Sequence, residues 1–178
     1  MSGHNKWSKI KNKKAVEDAR KSKIFSIHVK TITMESKRAA GDINHPSLRA
    51  AIDRAKAVNM PSDNINRAIE KGQSGGGTDL EEVLYEAYAP GGIALMIEGI
   101  TDNKNRTTPL IKHLLLEHGG SLGSTGSAQW AFTKSDDSWT PNITIALSDN
   151  DKEKVATLID AILDQEDIKN VSSNAEFN

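Results

Sequence analysis

Hydrophobic positions in the first part of the chain recur at helical spacing. Residues 12–40 contain neither glycine nor proline. The positions that share one face of a helix drawn through this stretch are Phe25, Val29, Ile32, Ser36 and Ala39. Such a stripe predicts a long helix that buries one side and ends at Gly41.

Two shorter helical stripes follow. Pro46 and Pro61 stand where helices begin, and Lys71 with Gly72 resembles a helix end, with a last-turn cation and a C-terminal glycine. Because both stripes are narrow, we expect all three helices to bury their apolar faces against one another as a three-helix bundle. The apolar positions are Leu48, Ala51, Ile52, Ala55 and Val58 in the second helix and Ile65, Ala68 and Ile69 in the third.

A glycine- and serine-rich stretch separates the two halves of the chain. Residues 72–78 read Gly-Gln-Ser-Gly-Gly-Gly-Thr. Such a sequence stays flexible because glycine loses more backbone entropy on ordering than any other residue. We therefore predict a helical domain at residues 1–72, a linker at 73–78 and a second domain at 79–178.

The hydrophobic period changes to two in the second domain. Val83–Ala89 alternates, a Pro-Gly-Gly turn follows, and Ile93–Thr101 is strand-like. With Val83–Ala89 as an extra edge, the order from Ile93 is βαββαβ. This order indicates a ferredoxin-like α/β sandwich with two helices on one face of an antiparallel sheet, so the chain is predicted to be α+β. The other predicted elements are a helix ending at Gly119, strands Ser127–Thr133 and Ile143–Leu147, a helix capped by Asp149 or Asn150, and a strand Ile168–Phe177.

Composition excludes several classes. The 178 residues include no cysteine, which rules out disulfides, thiolate zinc sites, iron–sulfur clusters and thiol nucleophiles, and which fits a reducing compartment. No apolar run approaches the ~18 residues of a membrane span, and no secretory h-region opens the chain. We expect a soluble cytoplasmic protein without a membrane partner.

The net charge of −1 conceals two oppositely charged halves. Residues 1–78 hold 16 Lys/Arg and 7 Asp/Glu, a balance of +9, whereas residues 79–178 hold 7 and 17, a balance of −10. Residues 1–14 carry five lysines and no acid. We expect the basic half to bind a polyanion and the acidic half to avoid it.

The basic N-terminus is the main candidate site. Lysine suits phosphate contacts that require no base sequence, and Trp7, with His4 beside it, could stack on an unpaired base. Two other interpretations stay open: a solvated tail, and Trp7 as an anchor in the protein's own core. The candidate nucleic-acid-binding residues are Lys6, Trp7, Lys9, Lys11, Lys13, Lys14, Arg20, Lys21 and Lys23.

Two polar segments of the second domain have alternative interpretations. Asp102–Thr107 either caps a helix or forms a secondary contact through Lys104 and Arg106. Gly119–Ser127 lacks the Gly-Lys-Ser/Thr ending of a phosphate loop and follows a helix, so turn chemistry is favoured over a backbone contact with phosphate.

No residue pattern indicates catalysis, a metal or a cofactor. His113 and His118 are five residues apart and point to different sides of a helix, and His113 with Glu117 supplies only two ligands. No serine has a nucleophile-elbow context. We expect a non-enzymatic protein without a small-molecule substrate.

Short blocks in order along nearly the whole chain resemble the YebC family. In the first domain they are Ser2–Ile10, Lys13–Ala15, Asp18–Lys21, Lys23–Phe25, Asn44–Ile52, Ala55–Ala57, Asn59–Pro61, Asp63–Ile65 and Arg67–Ile69. In the second they are Tyr85–Gly92, Asp102–Thr107, Gly119–Gly123, Leu158–Asp160 and Asp167–Val171.

The resemblance implies a cytoplasmic, non-enzymatic regulator of gene expression. Members are described as DNA-binding transcriptional regulators, as mitochondrial translational activators and as ribosome-associated factors. The family fold has a helical first domain and two α/β domains, the third inserted within the second. Only Ser135–Asn142 stands at that insertion point here, so we expect the third domain to be missing and any activity that needs it to be affected.

Our leading hypothesis from the sequence is a translation factor that docks on ribosomal or transfer RNA, with the ribosome as a further partner. RNA offers unstacked bases and irregular phosphate surfaces, and no helix rich in Arg or Asn suited to reading base edges is evident. The alternative is a transcriptional regulator that binds promoter DNA.

Overall fold

The computed structural model describes the backbone of residues 3–77, 79–135 and 138–177, with side chains from residue 16 onward in those ranges. It divides the chain into two compact units, Met1–Thr78 and Asp79–Asn178. They are called the helical unit and the sheet unit below. Within the described ranges, no helix combines the length and the apolar character needed to cross a bilayer.

The helical unit consists of α1 (Gly3–Arg38), α2 (Pro46–Ala57) and α3 (Ser62–Gln73). Pro46 occupies the first turn of α2, as predicted. Helix α1 begins at Gly3, nine residues before the start of the stretch 12–40 that showed the helical pattern in the sequence. Residues 4–11 contain no glycine or proline and include three lysines, which are good helix formers. The basic N-terminus is therefore the start of a helix.

The predicted three-helix bundle is confirmed. The stripes chosen from the sequence supply its core, and Phe25, Val29, Ile52 and Ile69 pack around it partly buried. The buried core residues are Ile32, Ala39, Leu48, Ala51, Ala55, Met60, Ile65 and Ala68.

Small residues bring α1 and α3 close together. Ser36 Oγ donates a hydrogen bond to the carbonyl oxygen of Ile69 at 2.7 Å. A Cβ atom at the buried Gly72 would lie 2.5 Å from the carbonyl oxygen of Thr33. The expectation that Gly72 ends the helix is wrong: α3 continues to Gln73, and the left-handed residue after its end is Gly75, with φ of 81°.

The sheet unit contains eight strands and two α-helices among its described residues. In chain order they are β1 (Glu81–Ala89), β2 (Ile93–Thr101), α4 (Lys104–Glu117), β3 (Ser121–Leu122), β4 (Phe132–Ser135), β5 (Ser138–Pro141), β6 (Ile145–Ala146), α5 (Asp149–Leu163), β7 (Ile168–Ser173) and β8 (Ala175–Glu176). Two 3-10 turns, Pro90–Gly92 and Gln129–Ala131, precede β2 and β4.

The predicted α+β class with an antiparallel sheet is confirmed, but different strands form the sheet. Its order is β3-β1-β2-β7. The segment Val83–Ala89, predicted as an extra edge, is central. β1 pairs with β2 over their full lengths on one side, from Glu81↔Thr101 to Ala89↔Ile93, and with the short β3 on the other. Two predicted strands are not part of this four-stranded sheet, namely Ser127–Thr133 and Ile143–Leu147. In their place, β4 pairs with β5, and the two-residue β6 pairs with β8.

Both faces of the sheet are covered. Helices α4 and α5 pack on one face, as the ferredoxin-like prediction expected, and Ala128, Ala131, Phe132 and Trp139 cover part of the other. The buried residues of the helical side are Ala87, Ala89, Ile93, Leu95, Ile97, Ile111, Leu115, Val155, Leu158, Ile162 and Ile168. Those of the opposite side are Ala94, Met96, Ala128, Ala131, Phe132 and Trp139.

Candidate nucleic-acid interface

The described part of the helical unit exposes many cations. Arg20 and Lys21 of the predicted set are exposed on α1, and Lys23 is half-buried. Lys6, Trp7, Lys9, Lys11, Lys13 and Lys14 lie in α1, but their side chains fall outside the described residues. The other exposed cations of this unit are Lys37, Arg38, Arg49, Arg54, Lys56, Arg67 and Lys71.

A hollow between α1 and α3 brings two of these cations together. Arg67 and Lys71 lie four residues apart, on neighbouring turns of α3, and line the hollow with Asn64. Val29 and Ala68 complete the lining, and the hollow measures about 200 Å³. The wall of the hollow is mainly apolar, so a phosphate would contact Arg67 and Lys71 at its rim. Arg67 and Lys71 were not among the site residues predicted from the sequence, although their i, i+4 spacing was a usable signal.

A larger groove between α2 and α3 also carries cations. It measures about 450 Å³, and Arg49 and Lys56 line it from α2. Asp53 also lines it and lies between them along the same helix. This carboxylate offsets part of the positive charge of the groove, as the exposed Asp63 and Glu70, on neighbouring turns of α3, do for Arg67.

In the sheet unit, the predicted secondary contact residues are engaged in ion pairs. Lys104 Nζ lies 2.7 Å from Oε2 of Glu81. Arg106 Nη2 lies 2.9 Å from Oδ1 of Asp102 and 2.7 Å from Oδ2 of Asp167. Its hydrogen bond and charge interaction with Asp167, then the charge of Asp102, raise the pKa of Arg106. A phosphate would have to compete with these carboxylates.

The same segment caps α4 and surrounds a buried acid. Asn103 Oδ1 accepts a hydrogen bond from the backbone N–H of Arg106 at 3.3 Å, which is the predicted capping role. Asp167, 6% exposed, accepts hydrogen bonds from the hydroxyls of Thr107 at 2.7 Å and Thr101 at 3.3 Å. Asp102–Thr107 thus has a structural function, and its role as a contact surface stays a prediction.

The glycine-rich loop is attached to β1 through a second buried acid. Glu86, 5% exposed, accepts hydrogen bonds from the backbone N–H groups of Gly126 at 2.6 Å, Ala128 at 2.7 Å and Gln129 at 2.9 Å. Burial alone would raise the pKa of Glu86, but these three hydrogen bonds outweigh it and lower the pKa below its ordinary value of 4.5. Those three amides serve the protein's own carboxylate, which favours the turn interpretation of this loop.

Two tryptophans of the sheet unit have opposite environments. Trp139 is 4% exposed in the core, and Lys134 Nζ lies 5.3 Å from the centre of its ring. Trp130 is 60% exposed, and its Nε1 donates to the hydroxyl of Tyr88 at 3.4 Å. Neither tryptophan was predicted as a site residue, because a lone aromatic residue near a turn gives no signal of exposure.

Possible metal ligands do not cluster in the described part of the chain. No group of three or more His, Asp or Glu side chains there could hold a metal ion. His113 Nε2 lies 3.5 Å from Oε1 of Glu117, the two-ligand pair noted in the sequence.

Comparison with known proteins connects both units to one family. The family model of the TACO1/YebC protein N-terminal domain matches residues 5–75, and that of the TACO1/YebC second and third domain matches residues 80–137. The second match ends at the two-residue connection between β4 and β5, where the resemblance placed the insertion of a third domain.

The chain is also similar to curated proteins and to a solved structure. Proteins named "Probable transcriptional regulatory protein" from Thermosipho africanus and Thermotoga maritima are 51% and 49% identical over 136 residues, which is 75% of this chain and 54% of each relative. A conserved hypothetical protein from Aquifex aeolicus, Aq1575, superposes with a TM-score of 0.79 at 28% identity, covering 89% of this chain and 91% of that one.

The chain spans about half the length of the curated relatives it matches. Both family models and the Aquifex structure nevertheless agree with the resemblance found in the sequence. This chain belongs to the TACO1/YebC family.

Proposed function

We propose that this protein is a nucleic-acid-binding regulator of gene expression, and that it acts on DNA as a transcriptional regulator. The observation that carries the proposal is the separation of charge: the described side chains of the helical unit include nine exposed Lys and Arg, whereas residues 79–178 carry a balance of −10. Phosphate neutralisation by exposed Lys and Arg supplies most sequence-independent affinity for nucleic acids.

The expected contact surface has two parts. The first turns of α1 carry the lysines at positions 6, 9, 11, 13 and 14. The second part is the hollow lined by Arg67 and Lys71. Both parts belong to the helical unit. Any contribution of the sheet unit to nucleic-acid binding would therefore come from interactions other than its net charge.

DNA is preferred over RNA because of the relatives' names. Curated proteins about half identical to this chain are described as transcriptional regulatory proteins. This reverses the order of the two hypotheses drawn from the sequence. RNA, and with it the ribosome, is the second candidate, because residues 1–14 contain lysines but no arginine, and lysine contacts phosphates without reading base edges.

Charge-matched variants test the contact surface. The double variant Arg67→Gln/Lys71→Gln removes two cations from the hollow. The control Lys112→Gln/Lys169→Gln removes two exposed cations from the sheet unit and gives the same net charge. Fluorescence anisotropy at about 100 mM salt with labelled duplex DNA and a structured RNA gives both affinities. We expect at least fivefold weaker binding for the first variant and less than twofold for the control; equal losses would contradict the proposed surface.

Crosslinking in cells separates the two candidate functions. The full chain is crosslinked to nucleic acid, purified under denaturing conditions, and the attached strands are sequenced. Recovery of promoter DNA supports transcriptional regulation. Recovery of ribosomal or transfer RNA with no enrichment of promoter DNA would contradict it and favour the translation factor.

A further inference from the structure

Trp130 is an exposed indole ring in an otherwise acidic unit. Its exposed fraction is 60%, although tryptophan is highly buried on average in folded proteins. It lies in the 3-10 turn Gln129–Ala131 that leads into β4. Such a ring calls for an explanation, because its exposure keeps a large apolar surface in contact with water.

The ring contacts the central strand β1 through one hydrogen bond. Trp130 Nε1 donates to the hydroxyl of Tyr88, which in turn donates to the carbonyl oxygen of Ser127. The backbone N–H of Gln129, the residue before Trp130, donates a hydrogen bond to the buried Glu86 at 2.9 Å. An aromatic ring that is already fixed loses little conformational entropy when it binds a partner.

The loop and turn residues before β4 present no exposed acid next to this ring, since the nearby Glu86 is buried. Residues 118–135 contain no Asp or Glu, whereas the 17 acids of residues 79–178 predict about three in a stretch of 18 residues (18 × 17/100). Asp136 and Asp137 follow this stretch in the sequence. The exposed side chains nearest in sequence are polar and uncharged or basic: Ser124, Thr125, Gln129, Thr133 and Lys134. A protein-binding surface is typically richer in apolar residues at its centre, whereas a polyanion meets no carboxylate from this segment.

We propose that Trp130 is a stacking platform for an unpaired base of single-stranded nucleic acid. The platform consists of the exposed indole and the acid-free segment of residues 118–135. This proposal rests on the proposed function. It adds a nucleic-acid contact in the sheet unit, where the negative net charge gives no indication of one. Stacking on an aromatic side chain tolerates any base because every base has a flat aromatic face.

Binding of oligonucleotides to the full chain tests the platform. The probes are labelled dT20, rU20 and a duplex, measured with wild type, Trp130→Ala, Trp130→Phe and Leu116→Ala. Leu116 is the matched control, an apolar side chain of the same unit that is 59% exposed. We expect Trp130→Ala to weaken single-strand binding by about 5- to 150-fold. Trp130→Phe and Leu116→Ala should stay within about threefold of wild type, and duplex binding should be unchanged.

The outcomes separate the platform from the proposed function. If wild type binds single strands and Trp130→Ala binds them equally well, the platform is wrong and the proposed function stands. If wild type binds no nucleic acid, both fall. Loss of a dimer in sedimentation of Trp130→Ala would assign the ring to a second copy of the chain and overturn the platform. The dT20 and rU20 arms show whether DNA or RNA supplies the base.

Photocrosslinking gives a readout that does not depend on a variant. An oligonucleotide carrying 5-iodouracil is irradiated with the wild-type chain, and the modified residue is identified by mass spectrometry. Crosslinks at Trp130 support stacking. Crosslinks confined to the helical unit would overturn the platform while supporting nucleic-acid binding by that unit.

Discussion

Arg106 donates a hydrogen bond from Nη2 to Oδ2 of the buried Asp167 over 2.7 Å. This contact joins the first turn of α4 to the residue that precedes β7. Gly99 makes room for the same strand connection, because a Cβ atom there would overlap the carbonyl oxygen of Asp167. The polar segment Asp102–Thr107, which the sequence presents as a possible contact surface, therefore stabilises the sheet unit.

Thr107→Val tests the contribution of this buried network. Thr107 is 1% exposed, and its hydroxyl lies 2.7 Å from Oδ2 of Asp167. Valine keeps the shape but removes the donor to a charged acceptor, so we expect the free energy of unfolding to fall by about 1.5–3 kcal/mol. Urea denaturation measures it, with exposed Thr157→Val on α5 as a control expected to stay within about 0.5 kcal/mol. Equal effects of the two variants would show that Asp167 does not depend on Thr107.

Glu86→Gln tests the attachment of the glycine-rich loop. Glutamine cannot accept three N–H donors in the arrangement that suits two carboxylate oxygens, so we expect a loss of about 1–3 kcal/mol at neutral pH. The lowered pKa means that the ionised side chain stabilises the fold. This stabilisation is complete above the unfolded pKa near 4.5 and is lost as the pH falls through the lower folded pKa.

The difference in unfolding free energy between wild type and Glu86→Gln is therefore expected to be constant from about pH 6 to 7 and to shrink below about pH 4.5. Denaturation curves at several pH values measure it. A difference that grows as the pH falls would mean that the folded-state pKa of Glu86 is raised instead.

Gly72→Ala tests the close approach of α1 and α3. Alanine normally favours a helix interior over glycine by about 1 kcal/mol. Here its Cβ would lie 2.5 Å from the carbonyl oxygen of Thr33 and 2.6 Å from Cβ of Ser36. We expect a net destabilisation of about 1–2 kcal/mol, because overpacking outweighs propensity. Thermal unfolding compares it with the exposed Glu70→Ala on the same helix; a stabilised Gly72→Ala would show that the two helices can separate without cost.

Helical periodicity made the bundle predictable. Leu48, Ala51 and Ala55 recur at intervals of three and four, and all three are buried in α2. Pro46 indicated where this helix starts, because the N–H that proline lacks is not needed in the first turn of a helix. Local signals of this kind were sufficient to predict an element wherever its buried residues recur at a regular spacing.

Long-range partners were not predictable from local pattern. Glu86 occupies an ordinary polar position on a strand, and its partners Gly126, Ala128 and Gln129 follow 40 to 43 residues later. Gly72 follows a lysine as a helix-ending glycine would. Glycine is needed there, however, because a Cβ atom would overlap the backbone of Thr33 on another helix. The strand order was missed for the same reason, since alternation in Val83–Ala89 does not say which strands lie on either side.

The salt dependence of DNA binding tests the central claim most directly. The affinity of the full chain for a duplex is measured between about 50 and 300 mM salt, for wild type and for a variant with Lys9, Lys11, Lys13 and Lys14 changed to Gln. If the N-terminal lysines contact phosphates, the slope of log K against log salt becomes shallower by about 0.9 for each lost contact, up to about 3.6 for four. A variant that binds with wild-type affinity and the same slope would contradict the proposal that the start of α1 contacts the backbone.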